Sequence, residues 1–382
     1  MTELTIRNAR VLLPDGEMPV TDVTLSGETI ADLGGRGAGR AIDARGLLLL
    51  PGIVDLHGDA FERQIMPRPG VHLPIEAALW ETDRQLVANG ITTAFHGLTW
   101  SWEPGLRGRE AALAFFDAVE RLRPRLACDT RIHLRHEVYN LPAEAEIVDF
   151  LTKGRVGLLA FNDHLPMLRR KRHPLQKLAQ YAERAQLSVE AFSDLLDEVA
   201  GREGSVAAAN DRIAAQARAV SVAMASHDDG SPETRRHYNG LGCDLCEFPL
   251  NRDTLHVARG LGNAIIMGAP NVVRGGSHTG GLRVADLIGD RLVDVLTSDY
   301  YYPALLHAPF RIVAEGIAGF AEAWRMVSTN PANRVGLADR GVIAAGKRAD
   351  LLLVDDSDPT LPNVIATFVA GRIAMASRDL QG

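Results

Sequence analysis

Apolar residues follow two rhythms along this chain. Over the first fifty positions they alternate with polar ones in short runs, LTIRNARVLL and DVTLSGETIADLG, parted by the turn Pro14-Asp15-Gly16. That is the period of half-buried strands. From Pro51 onward, nearly continuous apolar runs alternate with amphipathic stretches such as IEAALWETDRQLVANG and REAALAFFDAVERLRP. Continuous runs suit strands covered on both faces, and the alternation with helices predicts βα units. Eight strands are predicted, at 52–57, 91–97, 131–138, 156–162, 220–226, 244–250, 263–268 and 293–298. Eight such units over about 280 residues fit a (β/α)8 barrel. The longer span 168–219 is predicted mostly helical, with Ser188 as an N-cap and its opening LRRKRHPLQK as a solvated basic face. Near the end, GVIAAGKRADLLLVD and NVIATFVAGRIA return to the strand-and-turn rhythm. The expected organisation is an α/β chain with the barrel at 51–337 and a small β-sandwich built jointly from 1–50 and 338–382.

Bulk properties narrow the partners. A net charge of −7 over 382 residues argues against a general nucleic-acid partner, because no basic excess exists to neutralise a phosphate backbone. The start lacks a basic segment followed by an apolar core, and no apolar run approaches bilayer length, so a cytoplasmic location without membrane contact is expected. Cys128, Cys243 and Cys246 are too few and too odd in number for a disulfide framework. The GCDLCEF pair lies in a predicted strand with no second pair to complete a metal site, so buried structural thiols are expected.

The chemistry is expected at the C-terminal ends of the barrel strands. The first ends in LPGIVDLHGD, where His57 and Asp59 lie two residues apart and share one face. The third carries His133, Arg135 and Glu137, again of one parity. The fourth ends FNDH with His164, the fifth ASHDD with His227, and the eighth LTSDYYYP with Asp299. Each residue alone has a structural explanation, as a hydrogen-bonded histidine or a helix cap. Together, His57, Asp59, Glu137, His164, His227 and Asp299 place three imidazoles and three carboxylates at one end of one barrel. Such a cluster would be costly unpaired, and a divalent cation resolves the cost. Three imidazoles favour Zn, with Mn, Fe or Ni as alternatives, over Mg or Ca; one or two ions per chain are expected. His96 and His133 stand between ligand and structural roles.

After the seventh strand, MGAPNVVRGGSHTGG holds Arg274, Gly276, Ser277 and His278. Glycines there let backbone N–H groups approach an anion, and the hydroxyl and guanidinium add directed donors. Arg63 and Arg68 follow the first strand closely, and Arg135 sits on the third. Several arginines near one mouth of an acidic chain suit phosphate oxygens, with local ion pairs as the plainer reading.

These segments resemble a known family. LPGIVDLHGD and GVIAAGKRADLLLVD are similar to signatures of the amidohydrolase superfamily of metal-dependent barrel hydrolases. HGDAFERQIMPRPGV, HLRHEV, FNDH, ASHDD, CEFPL, MGAPNVVRGGSH and LTSDYYYPALL more narrowly resemble the α-D-ribose 1-methylphosphonate 5-triphosphate diphosphatases of the carbon–phosphorus lyase pathway, the PhnM family. The resemblance implies a metal-dependent hydrolase barrel in which His57-Gly58-Asp59 replaces the superfamily's first-strand His-x-His, and Glu137 takes the place of a bridging lysine. It implies a small phosphorylated ribose as substrate, cleaved to the 5-phosphate and pyrophosphate, with self-association left open. Metal-activated water would attack phosphorus, with Asp299 as general base. Arg63, Arg68, Arg135, Arg274, Gly276, Ser277 and His278 would hold the triphosphate. The alternatives are a cyclic-amide or N-acyl hydrolase on the same metal centre and, further off, a non-catalytic scaffold.

Overall fold

The computed structural model describes residues 3–35, 37, 39–68, 70–171, 178–277, 280–377 and 380. The first five strands are β1 (Glu3–Val11), β2 (Val20–Ser26), β3 (Thr29–Leu33), β4 (Arg40–Asp43) and β5 (Leu48–Pro51). Eight parallel strands follow: β6 (Ile53–Gly58), β7 (Ile91–Trp100), β8 (Asp129–Glu137), β9 (Leu158–Asn162), β10 (Ala223–His227), β11 (Leu245–Glu247), β12 (Ala264–Gly268) and β13 (Val295–Thr297). Three more, β14 (Leu351–Asp355), β15 (Asn363–Val369) and β16 (Arg372–Ala376), return to the first group.

β6 to β13 pair in chain order, and a bridge between Gly58 and Asp299 closes the ring into a barrel. Every one of the eight strands expected from the apolar runs is present. Branched and small apolar residues fill the interior, among them Val54, Leu56, Phe95, Leu158, Ile266 and Val295. One layer pairs Arg135 with Ala160, Ala225, Leu245 and Ala264 in register. Thr99 on β7 also pairs with Arg135 at this level. Above it, Glu137, Asn162, His227 and Glu247 occupy one level on four consecutive strands. The long insertion is helical, and Ser188 caps Val189–Ala200 by accepting from the Ala191 amide at 3.1 Å. Part of its basic run, 172–177, lies outside the described residues. Among the described residues no helix is long and apolar enough to cross a membrane.

The two chain ends build one sheet rather than two separate ones. Its order is β16-β15-β14-β5-β1-β2-β3, and β4 also pairs with β1. A register shift between Ile6 and Ala9 splits β1, so that its first half runs parallel to β4 and its second half to β5. Asn8 sits in that shift at φ 54°, with its amide N–H donating to Asp22 and its side chain to Asp43, both at 3.0 Å. Asparagine tolerates the left-handed region better than most residues. The inward residues of the sheet, including Ile6, Val23, Ile42, Leu351 and Phe368, form their own core.

Only Gly52 separates β5 from β6, which ties the terminal sheet to the barrel floor. There Arg340, 3% exposed in its side chain, donates to Asp129 at 2.7 Å and Thr93 at 2.8 Å and lies 3.7 Å from Asp350. Removing one partner of a buried ionic network strands the others without compensation. Arg340→Ala should therefore lower the unfolding free energy by about 3–5 kcal/mol. Urea melts of the two proteins check this, and coincident transitions would refute it.

Candidate metal centre and anion-binding mouth

The mouth of the barrel is organised around a carboxylate that the strand-end reading omitted. Glu247, fully buried at the tip of β11, receives His57 Nδ1 at 3.2 Å and His227 Nδ1 at 3.3 Å on its Oε2. His133 Nε2 lies 3.8 Å from the same oxygen. The other nitrogen of His133 donates to the Leu56 carbonyl at 3.0 Å, which leaves Nε2 as a bare lone pair. His133 Nε2 and Glu247 Oε1 are both buried without a hydrogen-bond partner among the described residues. Buried polar atoms are seldom left so. An imidazole fixed in one tautomer by a backbone carbonyl, facing a carboxylate, is a donor set that fits a divalent cation. His57, His133 and Glu247 bring ligand atoms within 4.8 Å of one another.

Burial holds His133 down to about 3, and burial together with Arg135 keeps His57 and His227 well below the usual imidazole range. Neutral imidazoles are the form that binds metal. Burial also raises Glu247 above the ordinary carboxylate value.

A second group lies beside the first. His164, His227 and Asp228 also approach within 4.8 Å of one another. Asp228 Oδ2 stands 3.7 Å from Nε2 of each histidine. Glu137 engages His164 twice, through the ring Nδ1 and by accepting from its backbone N–H at 3.3 Å. Burial opposes charge on His164, but Glu137 and Asp228 overcome it and lift the ring to about 9.

Arg135, 4% exposed, stands between the two groups. It donates to His227 Nε2 at 3.0 Å and lies 3.7 Å from Asp59. With the Asn162 amide oriented to suit this network, its oxygen accepts from Arg135 Nε and Nη2 at 3.2 Å each. Burial, Glu62 and Asp299 push Asp59 up to about 7, and burial raises Asp299 to about 6.

The first and last strands are locked beneath these acids. Asp299 donates its amide to the His57 carbonyl at 2.9 Å, and Asp59 donates to the Asp299 carbonyl at 2.8 Å. Asp55, fully buried, accepts from Ser298 N at 3.0 Å, Ser298 Oγ at 2.5 Å and His57 N at 3.3 Å. A Cβ on Gly58 would lie 2.8 Å from Asp55 Oδ2 and 2.9 Å from Ser298 Oγ, so the seam admits only glycine between His57 and Asp59. Asp228, Phe248 and Asp299 all have positive φ, at 57°, 50° and 53°. Backbone strain of this kind gathers at functional sites.

Two cavities open from the cluster and share Asp59, Arg135, His227 and Asp228. The larger, about 360 Å³, runs from His57 and Asp299 out to Arg274, Gly276 and Ser277. Its loop is held by Asn271, which donates to the Leu282 carbonyl and accepts from Val284 N at 2.9 and 3.0 Å. The smaller, about 240 Å³, reaches past Glu137 and His164 to Arg107 and Arg184.

The structure thus brings together His57, Asp59, Arg135, Glu137, His164, His227, Arg274, Gly276, Ser277 and Asp299. Arg63 and Arg68 line neither cavity. The short helix Glu62–Ile65 carries Arg63 onto the exposed rim, where it donates to the Tyr300 carbonyl, and Arg68 lies exposed three residues beyond the helix. His278 lies outside the described residues. His96 packs edge-on against Phe61 and Phe115, away from the cluster. Glu247, Asp228, Arg107 and Arg184 were not anticipated. For Glu247 a signal existed: it is the sole acid inside the run LCEFPL, at the level of Glu137 and His227.

No family model matches the chain. It is 33% identical over 324 residues to the α-D-ribose 1-methylphosphonate 5-triphosphate diphosphatase of Escherichia coli strain K12, covering 83% of this chain and 86% of that one. An adenine deaminase of Methylobacterium nodulans is 25% identical over 97% of this chain, which spans 58% of the deaminase. Among solved structures, an amidohydrolase from a Sargasso Sea sample superimposes with a TM-score of 0.67 at 16% identity, covering 100% of this chain and 94% of that one. The N-isopropylammelide isopropylaminohydrolase of Burkholderia multivorans gives a TM-score of 0.66 at 19% identity, with 98% of both chains covered.

If Glu247 holds the ion, Glu247→Ala should lose metal affinity on the order of 10–100-fold while keeping its far-UV circular dichroism. Competition with a fluorescent chelator reads the affinity, and unaltered binding would remove Glu247 from the metal-holding set.

Proposed function

This chain belongs to the α-D-ribose 1-methylphosphonate 5-triphosphate diphosphatase family of the amidohydrolase superfamily, and from that membership we propose how its mouth performs the reaction. It is a hydrolase that cleaves the phosphoanhydride of α-D-ribose 1-methylphosphonate 5-triphosphate, releasing diphosphate and leaving the 5-phosphate, in phosphonate catabolism. The observation that carries this is the 33% identity to the Escherichia coli enzyme over most of both chains. The reading includes a cytoplasmic site of action.

The residues suit the task. A divalent ion, zinc in this reading, supplies Lewis acidity and makes water acidic near neutral pH. His57, His133 and Glu247 would hold it, with His164, His227 and Asp228 as a second set and Asp59 and Glu137 beside them. Asp299, at about 6 and on the wall of the larger cavity, is poised to accept a proton from the attacking water near neutral pH. Arg135, Arg274, Ser277 and the backbone at Gly276 face that same cavity and would take up charge spreading over the triphosphate and the departing diphosphate. Gly275, at φ 81°, ends the short helix Ala269–Arg274 and turns this loop back over the mouth.

Phosphorus NMR of the zinc- or manganese-loaded protein with the triphosphate tests the reading. Diphosphate should appear beside a 5-monophosphate; unchanged substrate with metal bound would sink it. Asp299→Asn should lose turnover by roughly 10²–10⁴-fold, the range of a general base, while bound metal largely persists. Retained turnover in that variant would free Asp299 of the base role.

A further inference from the structure

We propose that the smaller cavity is the subsite for the methylphosphonate group, an inference that rests on the substrate proposed above. That substrate is anionic at both ends, and the mouth has two lobes with arginine in each, meeting at Arg135. The larger lobe ends on the exposed Arg274 and opens to solvent, which suits a triphosphate whose outer part must leave.

The smaller lobe differs in chemistry. Arg107 is clamped by Glu62, donating through Nε at 2.9 Å and Nη2 at 2.8 Å. Arg184 pairs with Glu103 at 2.6 Å. Each guanidinium carries five N–H donors, so these contacts leave several over. Arg184 Nε is buried with no hydrogen-bond partner among the described residues, and Glu103 Oε2 is in the same condition. As pairs these groups are neutral. With Asp59, Glu137 and Asp228 on the lining as well as Arg135 and His164, the lobe adds directed donors rather than a positive field.

The same cavity is also lined by Trp102, Met167 and Leu168. A cavity lined by both guanidinium donors and apolar side chains suits a small group that carries anionic oxygens and a methyl. Methylphosphonate is such a group. The phosphonate oxygens take the arginine donors, the methyl rests on Met167 and Leu168, and Glu103 Oε2 accepts a ribose hydroxyl. The volume of about 240 Å³ admits a group of this size.

The test compares two substrates, the full 1-methylphosphonate 5-triphosphate and 1-O-methyl ribose 5-triphosphate, which lacks the phosphonate. Arg184→Met should lower the ratio of kcat/KM for full over truncated substrate by about tenfold. Met167→Gln, a milder change at a half-buried position, should lower the preference for methylphosphonate over a 1-phosphate analogue by several-fold. Ratios unchanged within twofold in both variants would overturn the subsite. Failure of the unsubstituted protein to release diphosphate from either substrate would instead overturn the proposed reaction. In that event, calorimetric titration with methylphosphonate alone decides the subsite: saturable binding lost in Arg184→Met upholds it, and its absence overturns it.

Discussion

Everything at the mouth of this barrel depends on one buried carboxylate. Glu247 has no solvent to stabilise its charge, and it meets imidazoles carried by the first, third and fifth barrel strands. Burying a carboxylate is unfavourable, and its rise above the ordinary value, even with Arg135 near, expresses that cost. A cation among these ligands would reverse the balance.

Arg135 is the second element of the design. Its level in the barrel is otherwise made of Thr99, three alanines and Leu245. From there its fork touches His227, Asn162 and Asp59 at once. It therefore belongs to both lobes of the mouth, and it offsets the acids that crowd them. A planar guanidinium can do this where a point charge could not, because its donors diverge in fixed directions.

Much of this was legible in the sequence. The eight barrel strands were readable because parallel strands buried on both faces leave unbroken apolar runs, as in VGLLAFN and NAIIMG. Strand-end histidines and acids were readable because the barrel fixes where chemistry can sit. What failed was inference across space. Arg63 and Arg68 are close to His57 in the chain, but Arg63 on a short helix and Arg68 beyond it both lie exposed at the rim. Arg107 and Arg184 come from a loop and an inserted helix that bear no strand signature. Glu247 looked like an ordinary acid in a strand until register set it level with Glu137 and His227. Asp228 reaches the site only through a backbone turned into the left-handed region.

The seam at Asp55 and Ser298 has a consequence for how the molecule comes into being. His57 and Asp299 are 242 positions apart, yet each is set by hydrogen bonds that exist only when the first and last strands touch. The strand leading into the barrel, Leu48–Pro51, likewise waits for Leu351–Val354. Such distant pairings are slow to form, because loop closure must precede the contacts that reward it. A half-assembled ring can offer His133 and Glu247 but lacks the seam that aims His57. Placement of His57 beside His133 and Glu247 therefore depends on closure of the whole ring.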